Sequence, residues 1–309
     1  MRYFLLLLFL ISTSVTFSQN RIAITFDDLP CSNCKSSEIV NEVIDKLILS
    51  LNKYHVNAIG FVNEKKLFKD GRRDEGKTNL LRHWLENGLD LGNHTFSHIL
   101  INNATVEEYE KDLLKGEIIT RPLMKEYSRE LKYYRHTQLR TGPTKEYKTR
   151  LDSILSKYNY TVAPVTMDND EYIYAFCYMA AKEKKDSINM RRIANDYLDY
   201  MERIFSHYEK LSIDFLGYNV NQILLLHANE LNADYLDSIL STLTDKGYKF
   251  ISLDEALTDK AFQLPEEIST KGISWIDRWK LAKGLDITNQ PEISDYIRTL
   301  MDAIKKNSY

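Results

Sequence analysis

The chain has 309 residues, 41 Lys+Arg against 44 Asp+Glu and a net charge of −3; 43% of it is hydrophobic and 28% charged. That balance excludes a disordered chain, a collagen-like repeat and a coiled coil, and it offers no basic footprint for nucleic acid. Three cysteines are too few for a disulfide scaffold, and the length allows one large α/β domain or two small ones.

Arg2 precedes an apolar run from Phe4 to Ile11, and Ser12, Thr13, Ser14 and Thr16-Phe17-Ser18 follow. This layout predicts a secretory signal peptide over 1–19, cut near Ser18 or Gln19. The run is well short of the roughly 20 apolar residues a membrane span requires, so no stable span is expected after cleavage. Export to the periplasm or the exterior of a bacterium follows. Ile22 to Phe26 reads as a buried strand, and Ile39 to Leu51 carries apolar residues at helical spacing. Ala58 to Val62 is a second strand, Thr78 to Asn87 a helix stopped by Gly88, and Leu89 to Leu91 a short strand. Thr105 opens a helix with Glu108 placed for a capping box. Strands follow at Lys132 to Arg135 and Thr161 to Met167, with a helix from about Thr144 to Tyr158 between them. Ile223 to Leu226 is an apolar strand, Asp234 to Asp245 a helix and Tyr248 to Leu253 a last strand. Alternating strands and helices imply a mostly parallel sheet, either barrel or open. Two stretches break the rhythm. Residues 174–218 are long, charged and helical, and 259–309 form an extension with helix patterns at Trp275 to Leu281 and Ile293 to Ile304.

Ionisable residues recur where strands end. Asp27-Asp28 ends the first strand, His94 and His98 follow Leu91, and Arg135, Asp168 and His227 each end a strand. In parallel α/β folds the site gathers at the C-terminal strand ends. His94 and His98 are four apart, so on a helical turn both imidazoles reach one ion. Adjacent residues leaving a strand point apart. One carboxylate of the Asp pair can therefore complete a two-His-one-Asp site while the other stays free as a base.

With these residues in place the chain resembles a known family. Thr25-Phe26-Asp27-Asp28, Asn93-His94-Thr95-Phe96-Ser97-His98, Arg135, Asp168 with Glu171-Tyr172, and Leu224-Leu225-Leu226-His227 match in order the five motifs of the NodB-like polysaccharide deacetylases, carbohydrate esterase family four. The likeness runs from about Arg21 to Leu257. It implies an α/β fold, a distorted (β/α) barrel over 20–258, here with a helical insertion at about 174–218 and a helical C-terminal extension over 259–309. The implied activity is that of a hydrolase acting on non-peptide carbon–nitrogen bonds, the metal-dependent removal of N-acetyl (or O-acetyl) groups from a cell-wall or environmental glycan. The partner is then an acetylated polysaccharide or oligosaccharide. Carried over residue by residue, Asp28, His94 and His98 are the metal ligands, for one divalent ion, zinc first and Co2+, Ni2+ or Mn2+ as alternatives. Asp27 is the general base, His227 the general acid, and Arg135 the arginine that keeps the base ionised. Asp168 or Glu171 keeps the acid protonated, with Asp168 favoured, while Glu171 and Tyr172 are expected to meet substrate.

The sequence also departs from the family pattern. Arg135-His136-Thr137-Gln138 stands where Arg-x-Pro and an aromatic are usual, and Glu171-Tyr172 where Asp-Trp is common. The long 174–218 stretch is expected to overhang the mouth as a lid or recognition element. A catalytically weak or inactive sugar-binding protein on the same scaffold is the competing reading. Non-haem iron oxygenases share the two-His-one-carboxylate set, but their jelly roll contradicts the α/β rhythm. Gly71 to Thr78 satisfies the P-loop pattern without the apolar strand that must precede it. Cys31 and Cys34 are expected to form a small disulfide, Cys177 to lie in the core, and Trp275 and Trp279 to pack the extension onto the barrel.

Overall fold

The computed structural model describes residues 19–306; the expected signal peptide lies, but for Gln19, outside them. The strands in chain order are β1 (Arg21–Leu29), β2 (Ile59–Val62), β3 (Phe68–Lys69), β4 (Arg72–Arg73), β5 (Asp90–Asn93), β6 (Tyr133–Tyr134), β7 (Thr161–Val162), β8 (Gln222–His227) and β9 (Lys249–Phe250). The helices are α1 (Ser37–Lys53), α2 (Glu75–Glu86), α3 (Val106–Lys115), α4 (Thr120–Glu126), α5 (Lys145–Lys157), α6 (Glu171–Glu183), α7 (Ser187–Leu216), α8 (Glu230–Asp245), α9 (Leu253–Ala256), α10 (Trp275–Ala282) and α11 (Asp295–Lys306). No helix among the described residues is long and apolar enough to cross a membrane.

The main sheet runs β7–β6–β5–β2–β1–β8, with β9 also pairing β1, and each pairing is parallel. β1 and β8 are near-continuous apolar runs because helices cover the sheet and leave both faces dry. β7 pairs β6 at one edge, yet Met167, five residues beyond Val162, pairs in parallel with Leu224 of β8 at the other edge. So short a connection can join both edges only if the sheet is curled. The fold is therefore the distorted α/β barrel that the family resemblance implied, with all its strand C-termini at one mouth.

Local chemistry explains most elements. Ser36, Asp74, Thr144 and Asn229 accept from the third residue onward at the starts of α1, α2, α5 and α8, and Thr105 with Glu108 forms the full capping box on α3. The strand expected over Thr161 to Met167 is shorter. Between β7 and Met167 the chain crosses from one edge to the other, and Val165 gives its carbonyl to Trp275 N at 2.7 Å instead of to a neighbouring strand. The 174–218 stretch is most of α6 and all of α7. α7 buries Ile193, Tyr197, Tyr200, Met201, Ile204, Phe205 and Tyr208 on one face, packed on α6 and α8. Cys31 and Cys34 are disulfide-bonded and Cys177 is buried. Trp275 and Trp279 are buried, and the extension packs α10 on α7 and α11 on α6.

Candidate active site

The mouth is organised by strand register. β1 and β8 pair so that Asp27 lies opposite His227 at neighbouring strand ends. The pairing of β1 with β2 slips between Phe26 and Leu29, and Asp28 there has a φ of 68°. A bulge of this kind re-aims a side chain, and it brings two consecutive aspartates to one cavity. β5 ends at Asn93, and the segment that follows is a loop with Thr95 and His98 at positive φ, not the helical turn expected for His94 and His98. The reason is anchoring from both sides. Asn93 Oδ1 accepts from Thr95 N at 2.7 Å, Asn63 Nδ2 donates to His94 O at 2.5 Å, and Asp112 takes both Phe96 N and Ser97 N. Gly116 lies so close that an added Cβ would sit 2.6 Å from the Thr95 carbonyl carbon.

Asp28, His94 and His98 each offer one ligand atom, and those atoms lie within 4.8 Å of one another. Asp28 Oδ1 is buried with no hydrogen-bond partner. His94 Nδ1 bonds the Arg135 carbonyl at 2.9 Å, which fixes the ring with Nε2 turned to the cluster, 3.6 Å from Asp27 Oδ2 and 3.9 Å from Asp28 Oδ1. Burial pushes both His94 and His98 down to about 4, so both imidazoles are neutral at neutral pH. This is the donor chemistry of a divalent cation site. Lys66 Nζ stands 3.3 Å from Asp28 Oδ2 and donates to the Asp28 carbonyl at 3.2 Å. Sequence reasoning gave Lys66 no role at the site.

Asp27 is buried, with Oδ1 lacking a hydrogen bond and 3.8 Å from Arg135 Nη1. Arg135 is itself fully buried; its Nη2 donates to Thr25 Oγ1 at 2.9 Å and its guanidinium lies 4.6 Å from the Phe61 ring centroid. Burial raises the Asp27 pKa, and the Arg135 charge, then that of His227, opposes the rise. The resemblance assigned Arg135 to keeping this carboxyl ionised; its charge offsets burial without overcoming it.

His227 differs from expectation in its partner. Its Nδ1 bonds Glu171 Oε1 at 2.7 Å, and its backbone N donates to the same oxygen at 2.8 Å. Asn229 Nδ2 donates to Glu171 Oε2 at 3.0 Å, so this fully buried carboxylate has three donors. Glu171, rather than the favoured Asp168, therefore pairs with His227, and its burial removes it from the expected role of meeting substrate. Asp168 lines the cavity, accepts only from Asn169 N at 2.9 Å, and is pushed up to about 7 by burial. Burial alone would depress His227, but the Glu171 hydrogen bond and charge raise it to about 9. Tyr172 is 54% exposed on the cavity wall.

The cavity holds about 480 Å³ and is lined by Asp27, Asp28, His94, His98, Asp168 and His227, and by Gln138, Leu139, Arg140 and Gly272 among others. No residue of 174–218 lines it. The expected lid is instead a helical wall, because its apolar face is consumed in the core.

Residues 14–163 match the family model described as polysaccharide deacetylase. Over that stretch, just under half of its length, the chain is similar to the NodB-like polysaccharide deacetylases. Among solved structures it is similar to the polysaccharide deacetylase Bc1974 from Bacillus cereus, at 14% identity over 76% of this chain and 92% of that one, with a TM-score of 0.52. It is also similar to a mutant of a carbohydrate esterase family four pseudoenzyme, at 14% identity over 77% and 67% of the two chains and a TM-score of 0.50. The peptidoglycan deacetylase PdaC from Bacillus subtilis is matched at 21% identity over 78% and 92%, with a TM-score of 0.46. No curated protein matches the sequence. The first two likenesses support the fold. The family's members are hydrolases of carbon–nitrogen bonds, and the structural neighbours include a pseudoenzyme.

Proposed function

We propose that the protein is an exported, metal-dependent deacetylase that hydrolyses N-acetyl (or O-acetyl) groups of a cell-wall or environmental glycan. The observation that carries the reading is the register of β1 and β8, which sets Asp27 across from His227 beside the Asp28, His94 and His98 cluster. Two acid/base groups thus flank one ligand set at a mouth wide enough for a sugar. The buried, unpartnered Asp28 Oδ1 and the two neutral imidazoles fit a divalent cation, zinc foremost. When bound there, such an ion supplies Lewis acidity that polarises the acetyl carbonyl and lowers the pKa of water.

The chain's own residues supply the proton transfers. Asp27 Oδ1 makes no hydrogen bond in the fold and is free to accept the proton of the attacking water. Arg135 holds a fixed positive charge 3.8 Å from that oxygen and favours its ionised form. His227 has Nδ1 committed to Glu171, which leaves Nε2 as the nitrogen that gives a proton to the departing amine. Glu171 keeps that imidazole charged up to about pH 9, so the acid is loaded at neutral pH. Tyr172 offers an exposed ring against which a sugar can lie.

Acetate release from acetylated peptidoglycan, chitin-type oligomers and acetylxylan, measured before and after chelation and again with zinc restored, tests this. Metal-dependent release is expected from at least one. Glycan binding with no release in any arm marks a sugar-binding protein on the deacetylase scaffold.

A further inference from the structure

One cationic group in the cavity has no role in the reaction above. Arg140 follows the third-motif loop and lines the same cavity as Asp28, His94 and His227. Its Nε is buried and has no hydrogen-bond partner. Among the described residues no carboxylate is paired with it, although most arginines of this chain are matched, such as Arg82 with Glu126, Arg121 with Glu117 and Arg150 with Glu107. Two of the carboxylates that share the cavity accept from other groups. Asp168 accepts from Asn169 N at 2.9 Å, and Asp170 Oδ2 from Gln290 Nε2 at 2.9 Å.

The backbone that carries Arg140 is held in place. Arg140 N donates to Thr137 O at 3.1 Å. The preceding carbonyl, that of Leu139, accepts from Arg278 Nη2 at 2.6 Å, and the following Thr141 hydroxyl accepts from Arg278 Nη1 at 3.1 Å. Gly272 closes on Gln138 so tightly that a Cβ would lie 2.2 Å from the Gln138 oxygen. A half-buried guanidinium with open donors, carried on an anchored backbone, is matched by planar anions, above all by a carboxylate that takes two parallel N–H bonds.

We propose that Arg140 is a specificity residue that selects glycans bearing a carboxylate on or next to the acetylated sugar. The inference rests on the deacetylase reading for the identity of the substrate as a glycan. Two sources can supply the carboxylate, a lactyl ether on an amino sugar or a uronic acid branch on acetylxylan.

Four probes separate these: a lactyl-ether-bearing amino-sugar oligomer, a glucuronate-substituted acetylxylan fragment, a neutral N-acetylglucosamine oligomer and a neutral acetylxylan fragment, matched in length. Binding is measured by calorimetry with zinc present on the Asp27→Asn background, so that glycan is not consumed. Acetate release is measured in parallel with otherwise native protein. One acidic probe is expected to bind about ten- to a hundredfold tighter than its neutral counterpart, the range of a charge-assisted pair. Which acidic probe does so identifies the source. That ratio should collapse in Arg140→Gln, survive in part in Arg140→Lys, and shrink with added salt. An equal ratio in Arg140→Gln, or acidic probes that bind no better than neutral ones, overturns the proposal. Absence of acetate release from all four probes, with the binding ratio intact, removes the deacetylase reading and leaves Arg140 as an anion selector. Preferential release from acidic probes upholds both.

Discussion

Replacing Glu171 by Gln removes the charge from the carboxylate that holds His227 and keeps its size. The interval from the ordinary histidine value of 6.5 to about 9 corresponds to about 3.4 kcal/mol in favour of the imidazolium, at 1.36 kcal/mol per pH unit. Without the Glu171 charge, burial is the largest remaining influence and lowers the value toward the ordinary 6.5, against the smaller opposing pull of Asp28 and Asp27. At pH 8 a group titrating near 9 is about 90% protonated, whereas one at 6.5 is about 3% protonated. The variant should thus lose about thirtyfold in kcat/KM for an N-acetyl glycan at pH 8, with the deficit narrowing below pH 6. The alkaline limb of the pH profile moves from near 9 to below 7. The linkage has a stability counterpart. A raised histidine pKa stabilises the fold fully below 6.5, and that stabilisation fades as pH rises through 9. Glu171→Gln should therefore flatten the fall in Tm between pH 6.5 and 9. Acetate release across pH 5.5–9.5, with the folded state checked by circular dichroism, is the assay. An alkaline limb left in place by Glu171→Gln would refute the pairing as the source of the acid.

Other substitutions separate the remaining roles. Asp27→Asn should keep bound zinc and lose about 10²–10⁴ in rate on amide and ester alike, since both need attacking water; normal turnover with metal bound would remove Asp27 as the base. His227→Ala should retain relatively more O-acetyl than N-acetyl activity, because an alkoxide leaves more easily than an amine; an equal loss on matched substrates would contradict that role. Lys66→Met deletes a cation 3.3 Å from Asp28 Oδ2 and should tighten zinc binding about three- to tenfold in calorimetry; an unchanged Kd would show that Lys66 does not compete with the ion. Chelation should lower Tm reversibly, since free zinc at a hundred times its Kd stabilises the fold by about 2.7 kcal/mol; a Tm indifferent to zinc would mean that no site is formed.

The sequence was most informative where function and local pattern coincide. Strand-end aspartates and histidines stand out because ionisable groups have little reason to recur at the dry ends of apolar runs, and β1, β5 and β8 do bring Asp27, Asp28, His94 and His227 together. Spacing was a poorer guide to conformation. His-x3-His fits a helical turn, but Asn93, Asn63 and Asp112 hold a loop through contacts that no local pattern contains. The preference for Asp168 over Glu171 had no local pattern behind it, since both follow the same strand; the fold buries Glu171 against His227 and leaves Asp168 on the cavity wall. The helical character of 174–218 was visible, but whether it faced a mouth or a core was not. That depends on which elements α7 meets, here α6 and α8.

The third motif shows how a missing local constraint is replaced from afar. Without proline, nothing in Arg135-His136-Thr137-Gln138 fixes the backbone, yet Gln138 and Leu139 both adopt positive φ, at 54° and 53°. Left-handed backbone costs a residue with a Cβ about 1–2 kcal/mol, so the loop persists only if neighbours over-determine it. They come from the C-terminal extension. Trp275 stacks on His136 with ring centroids 6.3 Å apart, Gly272 admits the Gln138 carbonyl, and the buried Arg278 guanidinium binds Leu139 O, Thr141 Oγ1 and Glu267 O. Arg278→Met leaves these three acceptors without that donor, and each orphaned buried acceptor costs about 1–3 kcal/mol. Chemical denaturation should show a loss of about 3–5 kcal/mol. Arg278→Lys should recover part of it, because an ammonium restores charge but not the forked reach to two oxygens. A loss below about 1 kcal/mol for Arg278→Met would mean that the loop holds its shape alone and the extension merely covers it.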